Sequence, residues 1–505
     1  MAYPPKQHYT TQSVETPLPR EVRHEIALLF GLFVSFRLMS IWWFQPGYVE
    51  VKGFFLPFAY LQDIGYHPFF DYWLEYPPLL AYLVVGLRWL AVGFCGRGDV
   101  AWEATCLVRA TQLSSILWET ASLAVVYALA KMLRGPKAAV RACWVYVALF
   151  STAFVSLSYL DTFPVFLMLA GLYSVAQSRL AWAALLAAAG FMAKLFPIGF
   201  LPVLLKCEAR WRWRLLPIGV FVLSVGCIAA PFLISGRKWL AASFDATARR
   251  PPWQTVWALL DGRYDFGYVG PTPRDISREN HKSFVERYVG QPAVRSVLLH
   301  LPPEVYTDPE PALLPLYYLR DAKTGKRDFA KANEALLDLD GWWKHRVAFY
   351  RVASRFATRL SFLDSGPRTG ALYWCIYGAA ALAALLFYVV TFASLPSALP
   401  PRRRVVFAAL SMFLLFLLSK GWSPQFALYL IPLLLIVFPL GEGGLWALVL
   451  TLLAFLEMPV WAACVLPQAG PTALGSQLLL QGTTIARTAL FLVVIVRLYR
   501  LLSRD

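Results

Sequence analysis

Carboxylates, cations and amides set beside apolar runs are the residues of this chain with chemistry to offer. The stretch YVEVKGFFLPFAYLQDIGYHPFFDYWLEYPPLL, from Tyr48 to Leu80, follows the first long apolar segment and holds Glu50, Asp63, Asp71 and Glu75 among aromatic rings. Ionisable groups at a bilayer are costly and mark function by default. The stretch therefore reads as the floor of an active site facing away from the cytoplasm. Asp71 and Glu75 are four residues apart, so on a helix they share a face suited to substrate hydroxyls or a divalent cation. His67 can donate to a phosphate or a hydroxyl.

Further along, Asp161 opens an apolar run, and Lys194 lies inside one near Pro197. A cation there can pair with a phosphate. Arg249 and Arg250 can grip a phosphate bidentately. Trp253 and Trp257 can stack on sugar rings or line a lipid groove, and the amide of Gln425, after Ser423-Pro424, can bind hydroxyls. Each has a plainer alternative. Glu50 can pair with Lys52, and Asp71 and Glu75 can belong to a solvated loop. Asp161 can cap a helix, and Lys194 can snorkel to the interface. The arginines can anchor to headgroups, the tryptophans can sit in an interfacial belt, and Ser-Pro can simply start a helix. Glu119 and Glu457, inside apolar runs, are expected to pair within a helix bundle.

The elements that must position these residues are membrane helices. The 505 residues are 58% hydrophobic and 15% charged, too little charge for a soluble chain of this length. Spanning candidates are 24–44, 107–132, 141–158, 162–178, 180–194, 195–205, 215–234, 371–396, 405–419, 424–439, 444–465 and 486–500. The fold class is therefore an all-α polytopic membrane protein of about 12 spans. The net charge of +17 does not indicate nucleic acid, because the basic residues cluster in short loops between apolar runs. The seven cysteines are scattered without a CxxC, which supports neither a disulfide framework nor a zinc site. Residues 1–23 form a polar tail without a signal-peptide pattern, so the first apolar run is expected to stay as an anchor.

Orientation follows from the arginines. Lys6, Arg20 and Arg23 precede the first span; Lys131, Arg134, Lys137 and Arg141 form a second group; Lys206, Arg210, Arg212 and Arg214 a third; Arg402, Arg403 and Arg404 a fourth; Arg497, Arg500 and Arg504 close the chain. All share the cytoplasmic side only if the apolar run 79–95 enters and leaves on the other side, as a juxtamembrane or re-entrant helix. The loop 45–106, Asp161, Lys194, the region 235–370 and the Ser423-Pro424-Gln425 turn then all face outward. This divides the chain into the tail, a membrane module 24–234, a loop or lid 235–370 with short helices near 329–339 and 344–360, and a second membrane module 371–505.

The order of motifs resembles a known family. Glu50, then Gly65-Tyr66-His67-Pro68-Phe69, Asp71 and Glu75-Tyr76-Pro77-Pro78-Leu79 look like the first extracytoplasmic loop of GT-C glycosyltransferases, closest to glycosyltransferase family 87, the polyprenyl-phosphate-mannose-dependent α-mannosyltransferases. Leu160-Asp161-Thr162-Phe163-Pro164, Lys194-Leu195-Phe196-Pro197, Ser423-Pro424-Gln425-Phe426 and the stretch Arg249–Trp257 resemble later parts of that family. The likeness covers 24–260 and 405–440.

The resemblance implies the GT-C fold, with juxtamembrane helices in the first outer loop and one large outer insert. It also implies a polyprenyl-phosphate hexose donor, a lipid or glycan acceptor, and inversion. Glu50 stands where the family carries its catalytic Asp and is the expected base, with Asp71 or Glu75 assisting. His67, Asp161, Lys194, Arg249, Arg250, Trp253 and Gln425 are the expected substrate-binding residues. The resemblance implies no certain cofactor, with a divalent cation as the candidate. A transporter or flippase of lipid-linked glycans is the competing expectation, and a non-catalytic scaffold a third. The first would bury its acids mid-bilayer in symmetric halves; the second would show no focused site.

Overall fold

The computed structural model describes residues 19–43, 67–70, 76–96, 100–208, 210–235, 252–264, 371–465 and 473–504, with 237, 240, 241 and 244 besides. Glu50, Asp63, Asp71, Glu75, Arg249, Arg250 and the expected helices near 329–339 and 344–360 lie outside these residues.

The described chain is a bundle of helices. α1 (Arg20–Trp43) is followed by α2 (Pro78–Cys95), α3 (Val100–Arg134) and α4 (Pro136–Ala148). A π-helical turn, Ser151–Val155, and one further turn, Ser156–Ser158, bend 66° away from α4. Then come α5 (Thr162–Ala176), α6 (Leu180–Ala193), a 3-10 turn (Phe196–Phe200), α7 (Leu201–Leu204) and α8 (Trp211–Ser235). After the short α9 (Val256–Leu260) the bundle resumes with α10 (Ala371–Ser394) and α11 (Pro401–Leu418). A 3-10 turn (Pro424–Phe426), α12 (Ala427–Val437), α13 (Leu440–Phe455), a kinked stretch (Leu456–Val465) and α14 (Leu474–Arg504) complete it. Each expected apolar segment coincides with one of these elements. Among the described residues seven helices are long and apolar enough to cross a bilayer, or eight if the bent pair is one span, and α5, α6 and 424–437 are shorter apolar helices. The protein is a multi-pass, all-α membrane protein.

Every residue of α12 is buried. An apolar helix without a polar face belongs at the centre of a bundle, and α12 packs against α3, α4, α5, α11 and α13. One large apolar core among the described residues runs from Leu29 in α1 to Leu502 in α14.

The basic residues between helices gather at one end of this bundle and cap its helix C-termini. Arg134 donates to the Phe438 and Leu435 carbonyls at the end of α12. Arg404 donates to Val175 O at 2.9 Å and Ser178 Oγ at 2.6 Å at the end of α5, to Leu399 O at 2.6 Å, and to Cys207 O at 3.4 Å. Lys206 Nζ donates to Leu395 O at 2.8 Å after α10, Arg403 to Leu502 O at 2.6 Å, and Arg497 pairs with Glu442 at 2.7 Å. Cations at helix C-termini satisfy orphan carbonyls and the macrodipole together. Burial, and then Arg214 nearby, hold the Lys206 ammonium below its ordinary range, while burial pushes the neighbouring Cys207 thiol up to about 11 against the opposing effect of Arg404. This collar unites four of the five basic groups read from the sequence.

α2 is long and apolar enough to span. Tyr76, just before it, packs on Lys194 at the end of the bundle away from the collar. Cys95, its last residue, is disulfide-bonded to Cys106 near the start of α3, the helix whose other end reaches the collar at Arg134. The disulfide corrects the sequence expectation of no such bridge: α2 ends at Cys95 and the next helix begins at Val100, which brings together two cysteines that looked like separate members of apolar runs.

Arg404 should be the collar's most sensitive position. Replacing it with Ala strands several buried acceptors, each costing about 1–3 kcal/mol, so thermal unfolding of R404A in detergent should show a loss of at least about 3 kcal/mol. R404K should recover only part of it, because one ammonium cannot replace the planar fork.

Candidate active site

The far end of the bundle is built from broken helices. α6 stops at Ala193 because Pro197 lacks an N–H for the Ala193 carbonyl and its ring would strike the next turn. Lys194 therefore leaves the helix in extended conformation (φ −159°, ψ 139°) while its N–H still bonds Gly190 O at 2.7 Å. Gly190 allows the chain to fold back: a Cβ there would lie 2.7 Å from the Cβ of Pro197. α5 begins at Thr162, just after Asp161. At 15 and 14 residues, α5 and α6 are each only about 22 Å long, short of the roughly 30 Å hydrocarbon core.

Asp161 and Lys194 meet at these two helix ends. Lys194 Nζ is 2.8 Å from Asp161 Oδ2 and 2.7 Å from Oδ1, and Tyr429 at the start of α12 donates its hydroxyl to Oδ1 at 3.0 Å. Asp161 is 1% and Lys194 7% exposed. The Asp161 side chain makes no capping bond to its own helix, and the ammonium does not reach outward to an interface. Both plainer readings of these residues are thereby corrected: desolvated charges seek each other before either seeks a backbone N–H or the headgroups.

Aromatic rings enclose the ammonium. It lies 5.0 Å from the centre of the Tyr76 ring and 5.3 Å from that of Phe426, within cation–π range. Phe196 packs on Phe426 and Phe416 at 4.4 and 4.6 Å between ring centres. Tyr76 is the residue directly after Glu75, and Phe426 directly follows Gln425. The ends of four separate sequence motifs thus come together around one cation. Gln425 is buried, and its Oε1 has no hydrogen-bond partner among the described residues.

The segment 252–257 crosses to the stretch before Gln425. Trp253 N donates to Lys420 O and Trp422 N to Trp253 O, both at 3.1 Å, and Thr255 Oγ1 donates to Lys420 O at 3.0 Å. The Trp253 ring lies flush on Gly421, where any Cβ would overlap it. Trp257 donates to Leu417 O at 2.9 Å, so its indole N–H serves the fold. His67 is exposed; its carbonyl accepts from Phe70 N at 3.2 Å. Next to it, Pro68 O accepts from the Tyr82 hydroxyl at 3.1 Å, and the Phe69, Phe70 and Tyr82 rings pack on Phe232 of α8.

The expected internal pairing of Glu119 and Glu457 is present. Arg37 of α1 bonds both Glu119 oxygens at 3.2 Å, and Ser156 donates to Glu119 at 2.9 Å. Arg487 pairs with Glu457, which also accepts Trp422 Nε1 at 2.7 Å. Sequence reasoning missed Tyr429, a hydroxyl in an otherwise apolar run, and it missed Arg487 and Arg37, which give no local signal of their distant partners. Glu50, Asp71, Glu75, Arg249 and Arg250 lie outside the described residues, and with Asp71 and Glu75 goes the expected cation position.

No protein-family model matches the sequence, and no curated protein matches it. Among solved structures, the chain is similar over 93% of its length to the oligosaccharyltransferase of Archaeoglobus fulgidus in its apo form, at 13% identity and a TM-score of 0.38; it spans 56% of that protein's chain, little more than half. It is similar over 92% of its length to ArnT from Cupriavidus metallidurans in the apo state, at 14% identity and a TM-score of 0.33, covering 78% of that chain.

Removing one partner of the central pair leaves a buried charge alone, at a cost of about 3–5 kcal/mol. K194M and D161N should each lower the unfolding midpoint markedly, while K194M/D161N should lose less than the sum of the two. Strict additivity in this double-mutant cycle would show that the two side chains are not coupled.

Proposed function

We propose that this protein is a membrane glycosyltransferase of the GT-C architecture that moves a hexose, mannose by resemblance, from a polyprenyl-phosphate carrier to a lipid or cell-envelope glycan acceptor. The observation that carries the reading is the convergence of Tyr76, Asp161, Lys194 and Phe426, from four motifs far apart in sequence, at the end of the bundle opposite the arginine collar. A cation held among aromatic rings at the ends of broken apolar helices suits a phosphate that arrives on a lipid.

The chemistry needs few parts. The acceptor hydroxyl oxygen attacks the anomeric carbon while a carboxylate takes its proton; Glu50 is the residue for this, with Asp71 or Glu75 holding hydroxyls or a divalent cation through hard oxygen ligands. The bond from the anomeric carbon to the phosphate oxygen breaks, and the phosphate leaves with the electron pair. A single displacement inverts the anomeric centre. Lys194, with Arg249 and Arg250, stabilises the charge developing on the leaving phosphate. Asp161 and Tyr429 hold Lys194 in place, and His67, Trp253 and Gln425 contact the sugars.

Positive residues concentrate on cytoplasmic loops, which supports a collar inside and a site outside the cell membrane. The Cys95–Cys106 disulfide supports that orientation, since such bonds persist in oxidising compartments.

Two measurements test the proposal. Purified protein given a polyprenyl-phosphate hexose and a lipid acceptor should transfer the sugar, and E50Q should lose at least about a hundredfold in rate with normal expression. Movement of the lipid-linked sugar across vesicles without transfer would favour the flippase instead. Separately, in native membranes Cys95 and Cys106 should take up a thiol-reactive mass tag only after reduction; labelling without reductant would remove the support for an outward site.

A further inference from the structure

Gln254 has the marks of a recognition residue that nothing so far explains. It is 1% exposed, yet its Nε2 has no hydrogen-bond partner among the described residues. A buried donor left open costs about 1–3 kcal/mol, so an ordinary structural residue at this position would be apolar. The backbone is also unusual, with φ of +50°, the left-handed region that non-glycine residues rarely adopt. Such conformations persist only when the surroundings enforce them, and they cluster at ligand sites.

The enforcing contacts are specific. The Trp253–Gly421 bridge fixes the residue just before Gln254. Arg487 of α14 donates to the Gln254 carbonyl, pairs with Glu457, and lies 4.5 Å from the centre of the Trp422 ring, whose indole N–H in turn donates to Glu457. A buried ion pair between the last two elements of the bundle thus clamps the main chain of Gln254, while its Nε2 has no hydrogen-bond partner among the described residues. Across the bridge, three residues after Trp422, Gln425 presents the complementary deficit, a buried acceptor without a donor.

We propose that Gln254 is a specificity-determining residue that, together with Gln425, binds a hydroxyl of the substrate sugar, and that Arg487 and Glu457 are its positioning residues. This rests on the glycosyltransferase reading. A hydroxyl donates and accepts at once, so it meets the open donor of one amide and the open acceptor of the other, and satisfies either orientation of the amides. A phosphate, which only accepts, answers one of the two, and a lipid tail neither.

The test uses the full chain in nanodiscs and two probes, polyprenyl phosphate and polyprenyl-phosphate hexose, with Gln254→Met, which keeps the side-chain length and removes its polar atoms. The wild type should bind the hexose form more tightly. Q254M should bind it about three- to tenfold more weakly, the range of one lost hydrogen bond. It should bind the bare phosphate unchanged and unfold no sooner than the wild type, because the Nε2 it removes has no hydrogen-bond partner among the described residues. R487K, with the clamp loosened, should share the selective loss in part. Equal affinity of Q254M and wild type for the hexose form, an equal loss for both probes, or a clear loss of stability in Q254M would each overturn the proposal. A wild type that binds neither probe, or does not distinguish them, would instead defeat the glycosyltransferase reading and this inference with it.

Discussion

Two opposite charges withdrawn from water at the ends of two interrupted helices set the terms for the rest of this molecule. Asp161 and Lys194 stabilise the bundle only as a pair, so α5 and α6 must end at the same depth and face each other. Pro197 and Gly190 supply that geometry on one side, and the start of α12, through Tyr429, supplies it on the other. The wholly apolar α12 has one polar duty along its length that concerns this pair, and it discharges it in its first turn. The rings of Tyr76 and Phe426 then keep water from the ammonium without neutralising it.

The same principle recurs in two other places. Arg37 and Glu119, joined by Ser156, staple α1 to α3 and to the turn beyond the π-helical break. Arg487 and Glu457 staple α14 to the kink after α13 and reach the 252–257 segment. In hydrocarbon, helices gain little from apolar contact alone, because lipid offers the same; buried polar pairs add specific register. The arginine collar works differently. Most of its cations bind carbonyls, with Arg497 on Glu442 the exception, and so they close the helix ends at that end of the bundle.

Much of this was legible in the sequence. Apolar length located the long helices of the bundle, while the arginines alone led to the expectation that α2 returns to the side it came from, although its length and composition allow a span. Lys194 and Asp161 stood out because charge inside an apolar run is rare. Their pairing with each other was not legible, since each was weighed against local alternatives, a cap and an interface, and a contact across 33 residues leaves no local trace. Tyr429, Arg37 and Arg487 escaped for the same reason. The disulfide escaped because scattered cysteines reveal a bridge only once the turn between two helices is known. Gln254 lies in the stretch Arg249–Trp257 but has no signal of its own there: its interest lies in what its Nε2 lacks.

The brevity of α6 has an effect beyond the protein. Trp182 and Leu185 turn outward along it, 62% and 40% exposed, so its 14 residues are a surface for acyl chains. A leaflet beside so short an apolar wall meets hydrophobic mismatch, and it thins locally or draws its polar layer inward. Either response lowers the membrane surface toward Lys194. The polar layer of that leaflet would then lie closer to the depth of the ammonium than a flat bilayer would bring it.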